Sequence, residues 1–144
     1  MQDQNLKNHS QIVPAYHYVL LTLVLAIIIF SVVNIVSTIK SDGSLIPALL
    51  FLLIAVALLL SAFMLRSFAL KAQDRAIRAE ENLRHFVLTG KLLSSSLSVS
   101  QIVALRFASD DEFIALANRA AAENLTNKQI KEAIKNWRGD YYRV

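Results

Sequence analysis

The chain has 144 residues, of which 55% are hydrophobic and 18% charged. An ordinary soluble domain has about 25% charged residues, and the mean hydropathy here is positive, at +0.44, so a simple soluble domain and a disordered chain are both excluded. The formal charge of +4 comes from residues 66–144, which carry 13 Lys and Arg against 9 Asp and Glu. The absence of cysteine removes disulfides, thiolate metal sites and cysteine nucleophiles.

Residues 1–17 form a nearly neutral leading segment. No charge occurs for 32 positions between Lys7 and Lys40, or for 23 positions between Asp42 and Arg66. A membrane-spanning helix needs roughly 20 apolar residues, so spans are expected at 18–39 and 45–65. The lead is not basic and the first apolar stretch is too long for a cleaved signal peptide. The connection at 40–44 is short and polar, which predicts an antiparallel hairpin. Tyr16, His17 and Tyr18 sit where amphipathic rings prefer the headgroup level. Asn34 is the strongly polar side chain of the spans. It either hydrogen-bonds a neighbouring helix or is wetted near the outer interface. Neither span contains Asp, Glu, Lys or Arg, the usual mark of an ion route.

Arg66, Lys71, Arg75, Arg78 and Arg84 crowd the end of the second span, while the turn offers only Lys40. The positive-inside rule therefore places both termini in the cytoplasm. Past Arg66 the helix is expected to continue as a stalk over 66–89. A 4-3 spacing runs through Ala48, Ala55, Ala62, Ala69, Ala76 and Leu83, with Phe51, Leu58, Leu65, Ala72, Ala79 and Phe86 three residues beyond each. Small residues at such a seam let helices approach closely, in lipid or in a coiled coil. The seam serves either self-association or partner docking, or it packs on the chain's own C-terminal helices.

Residues 90–144 are expected to form a small helical head, with Gly90 ending the stalk. The pattern S/T-x-x-E/Q marks helix starts and occurs at Ser98–Gln101, Ser109–Glu112 and Thr126–Gln129. Each is followed by periodic apolar residues, giving helices at about 99–107, 110–123 and 127–139. Asn124 closes the middle one. The head is expected to pack against Leu83, Phe86 and Val87 of the stalk. In the last helix Lys128, Lys131, Lys135 and Arg138 would line one basic stripe beside Trp137. Such a face can meet anionic lipid headgroups, dock an acidic partner, or be a solvated surface.

No reactive constellation stands out. Asp110, Asp111 and Glu112 suit a helix N-terminus. His9, His17 and His85 are too dispersed for a helical ligand pair, and a His9–His17 metal site would need further ligands. No phosphate loop or nucleophile elbow is present. The reading is therefore a non-enzymatic, all-α membrane protein without cofactor or metal and without a nucleic-acid partner. It self-associates or serves as accessory subunit of a larger membrane complex. The alternative is a small oligomeric channel or transporter accessory, in which Asn34, Ser31 and Thr38 would line a wet path.

Two blocks carry a resemblance. One is Gln4-Asn5-Leu6-Lys7-Asn8-His9 with Pro14-Ala15-Tyr16-His17. The other is Gln101-Ile102-Val103-Ala104-Leu105-Arg106-Phe107-Ala108-Ser109-Asp110 with Ile130-Lys131-Glu132-Ala133-Ile134-Lys135-Asn136-Trp137 and Asp140-Tyr141-Tyr142-Arg143-Val144. With two apolar spans, these resemble a family of short bacterial membrane proteins classed as a domain of unknown function. The resemblance implies a bacterial plasma membrane and supplies no activity or catalytic residue.

Overall fold

A computed structural model describes residues 4–143. Met1, Gln2 and Asp3 of the leading segment and Val144 of the C-terminal block lie outside the described residues. Among the described residues the chain is helical, without strands. A π-helical stretch at Ala15–Leu20 runs into α1 (Leu21–Lys40), followed by α2 (Leu45–Thr89), α3 (Val99–Leu105), α4 (Asp110–Glu123) and α5 (Asn127–Ala133). Two helices, Ala15–Lys40 and α2, are long and apolar enough to cross a membrane. The chain divides into two compact units, Ile12–Ala69 and residues 4–11 with 70–143. The long helix α2 contributes to both.

In the unit Ile12–Ala69, apolar side chains are widely exposed. The buried positions keep a spacing of seven: Val24 and Ser31 in α1, and Ala48, Ala55 and Ala62 in α2. The Ser31 hydroxyl donates to the Ile27 carbonyl at 2.7 Å, so this polar group is satisfied by its own helix. Tyr16 Oη donates to the Ala62 carbonyl at 3.0 Å, and Arg66 lies 5.6 Å from the Tyr16 ring centroid. Between α1 and α2, Asp42 adopts a left-handed conformation and the Gly43 amide donates to the Thr38 carbonyl.

The other unit has its own apolar core, built on Leu105, Phe107, Phe113 and Ile130. Helix starts are fixed locally. Ser98 with Gln101, and Thr126 with Gln129, each form a complete reciprocal capping box. The box expected at Ser109 does not form. Its side chain makes no cap bond, and Glu112 instead accepts from the Lys135 and Asn136 amides at 3.1 and 3.0 Å. Asn124 ends α4 in the left-handed conformation. Gly90, also left-handed, ends α2, and its amide donates to the Phe86 carbonyl at 2.7 Å.

Three expectations are corrected. The last helix does not reach 139. It stops at Ala133, Ile134 turns extended, and the chain returns alongside 107–109. There the Ser109 amide donates to the Asn136 carbonyl, the Arg138 amide donates to that of Phe107, and Ala108 forms an antiparallel bridge with Trp137. These bonds and those to Glu112 satisfy backbone groups that a longer helix would have paired internally. The same pairing ends α3 at Leu105 rather than 107. The face of α2 that packs on the core is also different. Ile77, Glu81 and His85 are buried, at steps of four, while Leu83, Phe86 and Val87 are 63%, 50% and 74% exposed.

Candidate functional site

Truncation of α5 disperses the expected basic stripe. Lys128 remains on the helix, exposed and 3.7 Å from Glu132. Lys135 and Arg138 lie beyond the helix, and Arg138 reaches Glu81 at 3.7 Å. Lys131 turns inward, and Trp137 packs on Phe107 with ring centroids 5.2 Å apart. No single basic helical face exists here.

Phe107 instead gathers cations around its ring. Arg106, Arg143 and Lys131 stand 4.4, 5.5 and 5.9 Å from its centroid. The leading segment closes over the same ring. His9 packs edge-on at 5.8 Å from Phe107 and at the same distance from Trp137. Gln4 forms a two-way bond with the backbone of Asp140, donating to its carbonyl at 3.0 Å and accepting its amide at 2.9 Å. Arg143 donates to the His9 carbonyl. The Gln4–His9 part of the first family-like block thus meets the second block in space.

The protonation pattern follows from the bonds. His9 Nδ1 lies 2.9 Å from the Leu6 carbonyl and can only donate to it. Nε2 is then the acceptor for Lys131 Nζ at 3.1 Å, so the imidazole is neutral. Burial, followed by the nearby charge of Lys131, holds its pKa below 6.5. Lys131 is lowered by burial and then by Arg106 and Arg143. Arg106 is lowered by burial, with Arg143 adding to the effect, while Asp140 works against it. Arg106 is only 7% exposed. Asp140 Oδ2 lies 2.9 Å from its Nε, out of line for a hydrogen bond. Nε and Nη1 are therefore buried without an in-line acceptor among the described residues.

A second charged cluster is self-compensated. Arg84 donates to Asp110 Oδ1 from Nε at 2.7 Å, to Glu81 Oε2 from Nη1 at 3.0 Å, and to the Ala108 carbonyl from Nη2 at 2.8 Å. Its guanidinium lies 4.2 Å from the Phe113 centroid. With Glu80 and Arg138 these groups line an open cavity of about 330 Å³. The arrangement fastens α2 to α4 and leaves no aimed donor.

The seam residues fall into two classes. Ala48, Ala55 and Ala62 are buried and Ala69 is half-buried, while Ala72, Ala76 and Ala79 are exposed. Asn34 is exposed and shares a shallow cavity with Ile27, Phe30, Ser31 and Phe51. The Thr38 hydroxyl donates to the Asn34 carbonyl at 2.8 Å, so Ser31 and Thr38 both spend their donors on their own helix. No cluster of three or more His, Cys, Asp or Glu able to hold a metal occurs among the described residues.

Sequence reading passed over Arg106, Arg143 and the docking of His9. Their signal was their membership of the two blocks, not any spacing. No curated protein and no solved structure matches the chain. A family model described as "Family of unknown function (DUF6526)" matches residues 1–144, and the chain therefore belongs to that family.

Proposed function

We propose that the protein is a non-enzymatic, multi-pass membrane interaction protein that self-associates through the 72–86 part of α2. In this reading the two apolar helices form a transmembrane hairpin in a bacterial plasma membrane. Both termini and the helical head are cytoplasmic. The carrying observation is that Ala72, Ala76, Ala79, Leu83 and Phe86, at heptad spacing, are all exposed. The head packs on Ile77, Glu81 and His85 instead, so the seam is left for another copy. Exposed Leu83, Phe86 and Val87 extend the apolar surface that such a contact would cover.

The hairpin draws support from the short link between Lys40 and Leu45 and from the Tyr16–Ala62 hydrogen bond. The orientation rests on the basic residues from Arg66 to Arg84, set against Lys40 alone in the turn. The second chain of a parallel pair brings its own seam to the first, and alanine at these positions allows close approach.

The absence of cysteine gives a clean test. Ala76→Cys and, as an off-seam control, Arg78→Cys are oxidised in native membranes. A covalent dimer from the first variant and not the second is expected. Monomers from both, or equal dimers from both, refute self-association through this seam.

A further inference from the structure

We propose that Arg106, Lys131 and Arg143, gathered around the Phe107 ring, form a binding site for a phosphate monoester. The argument begins from charge. Three cations lie within 6 Å of one ring centroid, and among the described residues the carboxylate paired with one of them, Arg106, is Asp140. Asp74 and Glu81 act on Arg106 at longer range, and Glu81 is already committed to Arg84. Among the described residues the immediate cluster therefore carries a surplus of about two positive charges. A buried charge without its counter-charge is costly, and natural folds retain such groups where something else pairs with them.

The donors say what that partner is. Arg106 Nε and Nη1 and Arg143 Nε are buried without an acceptor in line among the described residues. Arg106, more than nine-tenths buried, lies against the ring, 4.4 Å from its centroid. Two guanidinium forks and one ammonium supply more donors than a carboxylate can accept, and they suit the three free oxygens of a phosphate monoester. Such a group carries about −1.5 to −2 charges at pH 7, which matches the surplus. A phosphodiester carries only one. Lys131 and Arg143 are half-buried, so the edge of the cluster lies at the surface, with the three unpaired donors beneath it. Neutral His9 holds Lys131 through Nε2 and acts as a positioning residue.

The phosphate could be carried by a soluble molecule or by a lipid of the phosphatidic acid class, and the experiment separates the two. The full chain is placed in phosphatidylcholine nanodiscs at pH 7.5, and head unfolding is followed by Trp137, the single tryptophan. For a soluble source, inorganic phosphate raises the unfolding midpoint above that in chloride at equal ionic strength. For a lipid source, nanodiscs doped with phosphatidic acid raise it above those doped with phosphatidylglycerol. In either case Lys131→Gln and Arg143→Gln each weaken the response about tenfold, the loss of one charge-assisted contact. The proposal is overturned if neither phosphate source moves the midpoint, or if both variants keep the full shift. The site shares no residue with the α2 seam, so failure of one leaves the other standing.

Discussion

Arg84 sets up a direct test of how burial, rather than distance, decides the strength of an ion pair. It holds two carboxylates at similar range, Glu81 at 3.0 Å and Asp110 at 2.6 Å. The Glu81 side chain is 6% exposed and that of Asp110 is 66% exposed. Replacing Arg84 with Met keeps the bulk over Phe113 but strands the Glu81 carboxylate and the Ala108 carbonyl. Removing one partner of a buried pair costs about 3–5 kcal/mol. The remaining contact from Arg138 at 3.7 Å offsets part of this, so about 3 kcal/mol is expected. Asp110→Asn breaks a solvated pair worth about 0–1 kcal/mol. It also removes one first-turn carboxylate of α4, which adds about 0.3–1 kcal/mol. The total stays near 1 kcal/mol. Denaturant unfolding in mild detergent, read by Trp137 fluorescence, gives both values on one signal. Equal losses from the two variants, or a loss below 1 kcal/mol for Arg84→Met, would refute the assignment of Arg84 as the group that keeps buried Glu81 paired while holding the Ala108 carbonyl.

Three further outcomes are expected. The pKa of His9 is lowered on folding, so below pH 6.5 the unfolded chain binds more protons than the folded one. Stability is full above 6.5, declines as pH falls through the lowered folded value, and is flat below it; His9→Asn removes that decline in a pH series of unfolding midpoints. Gly90 is left-handed with nothing within 4 Å of an added Cβ, so Gly90→Ala costs only backbone strain, about 1–2 kcal/mol, and Gly90→Asn costs less in the same denaturation assay. Gln101 is buried and donates to the Leu125 carbonyl at 2.8 Å while its Oε1 accepts the Ser98 amide, so Gln101→Leu leaves both backbone groups unpaired and destabilises the head by about 1–3 kcal/mol, measured as a drop in the unfolding midpoint.

Local chemistry was legible where it acts over a few residues. Ser98–Gln101 and Thr126–Gln129 form their capping boxes because both partners lie within one turn. Gly90 and Asn124 stop their helices because few residues tolerate the left-handed conformation. The two long apolar helices follow from composition alone. Misreadings arose where tertiary pairing competed with periodicity. Ile130, Ile134 and Trp137 keep helical spacing, yet the backbone of 135–138 gains more from Glu112 and from the 107–109 segment than from continuing α5. Which face of α2 meets the head was equally hidden. Glu81 and His85 look like solvated residues until Arg84 and the Lys91 carbonyl are brought to them. The cluster around Phe107 needs residues 9, 106, 131 and 143 together, a juxtaposition no local pattern encodes.

The bond between Gln4 and Asp140 spans 136 positions, and this has a consequence for how the protein is made. At about 5–20 residues per second, on the order of ten seconds or more separates synthesis of the two partners. Both apolar helices emerge in that interval, so Gln4 waits through the synthesis of both. Lys131, Trp137 and Arg143, which contact His9 or its backbone, emerge after both apolar helices. Closure over Phe107 is thereby tied to synthesis through residue 143: a product truncated before residue 131 lacks all three contacts with His9.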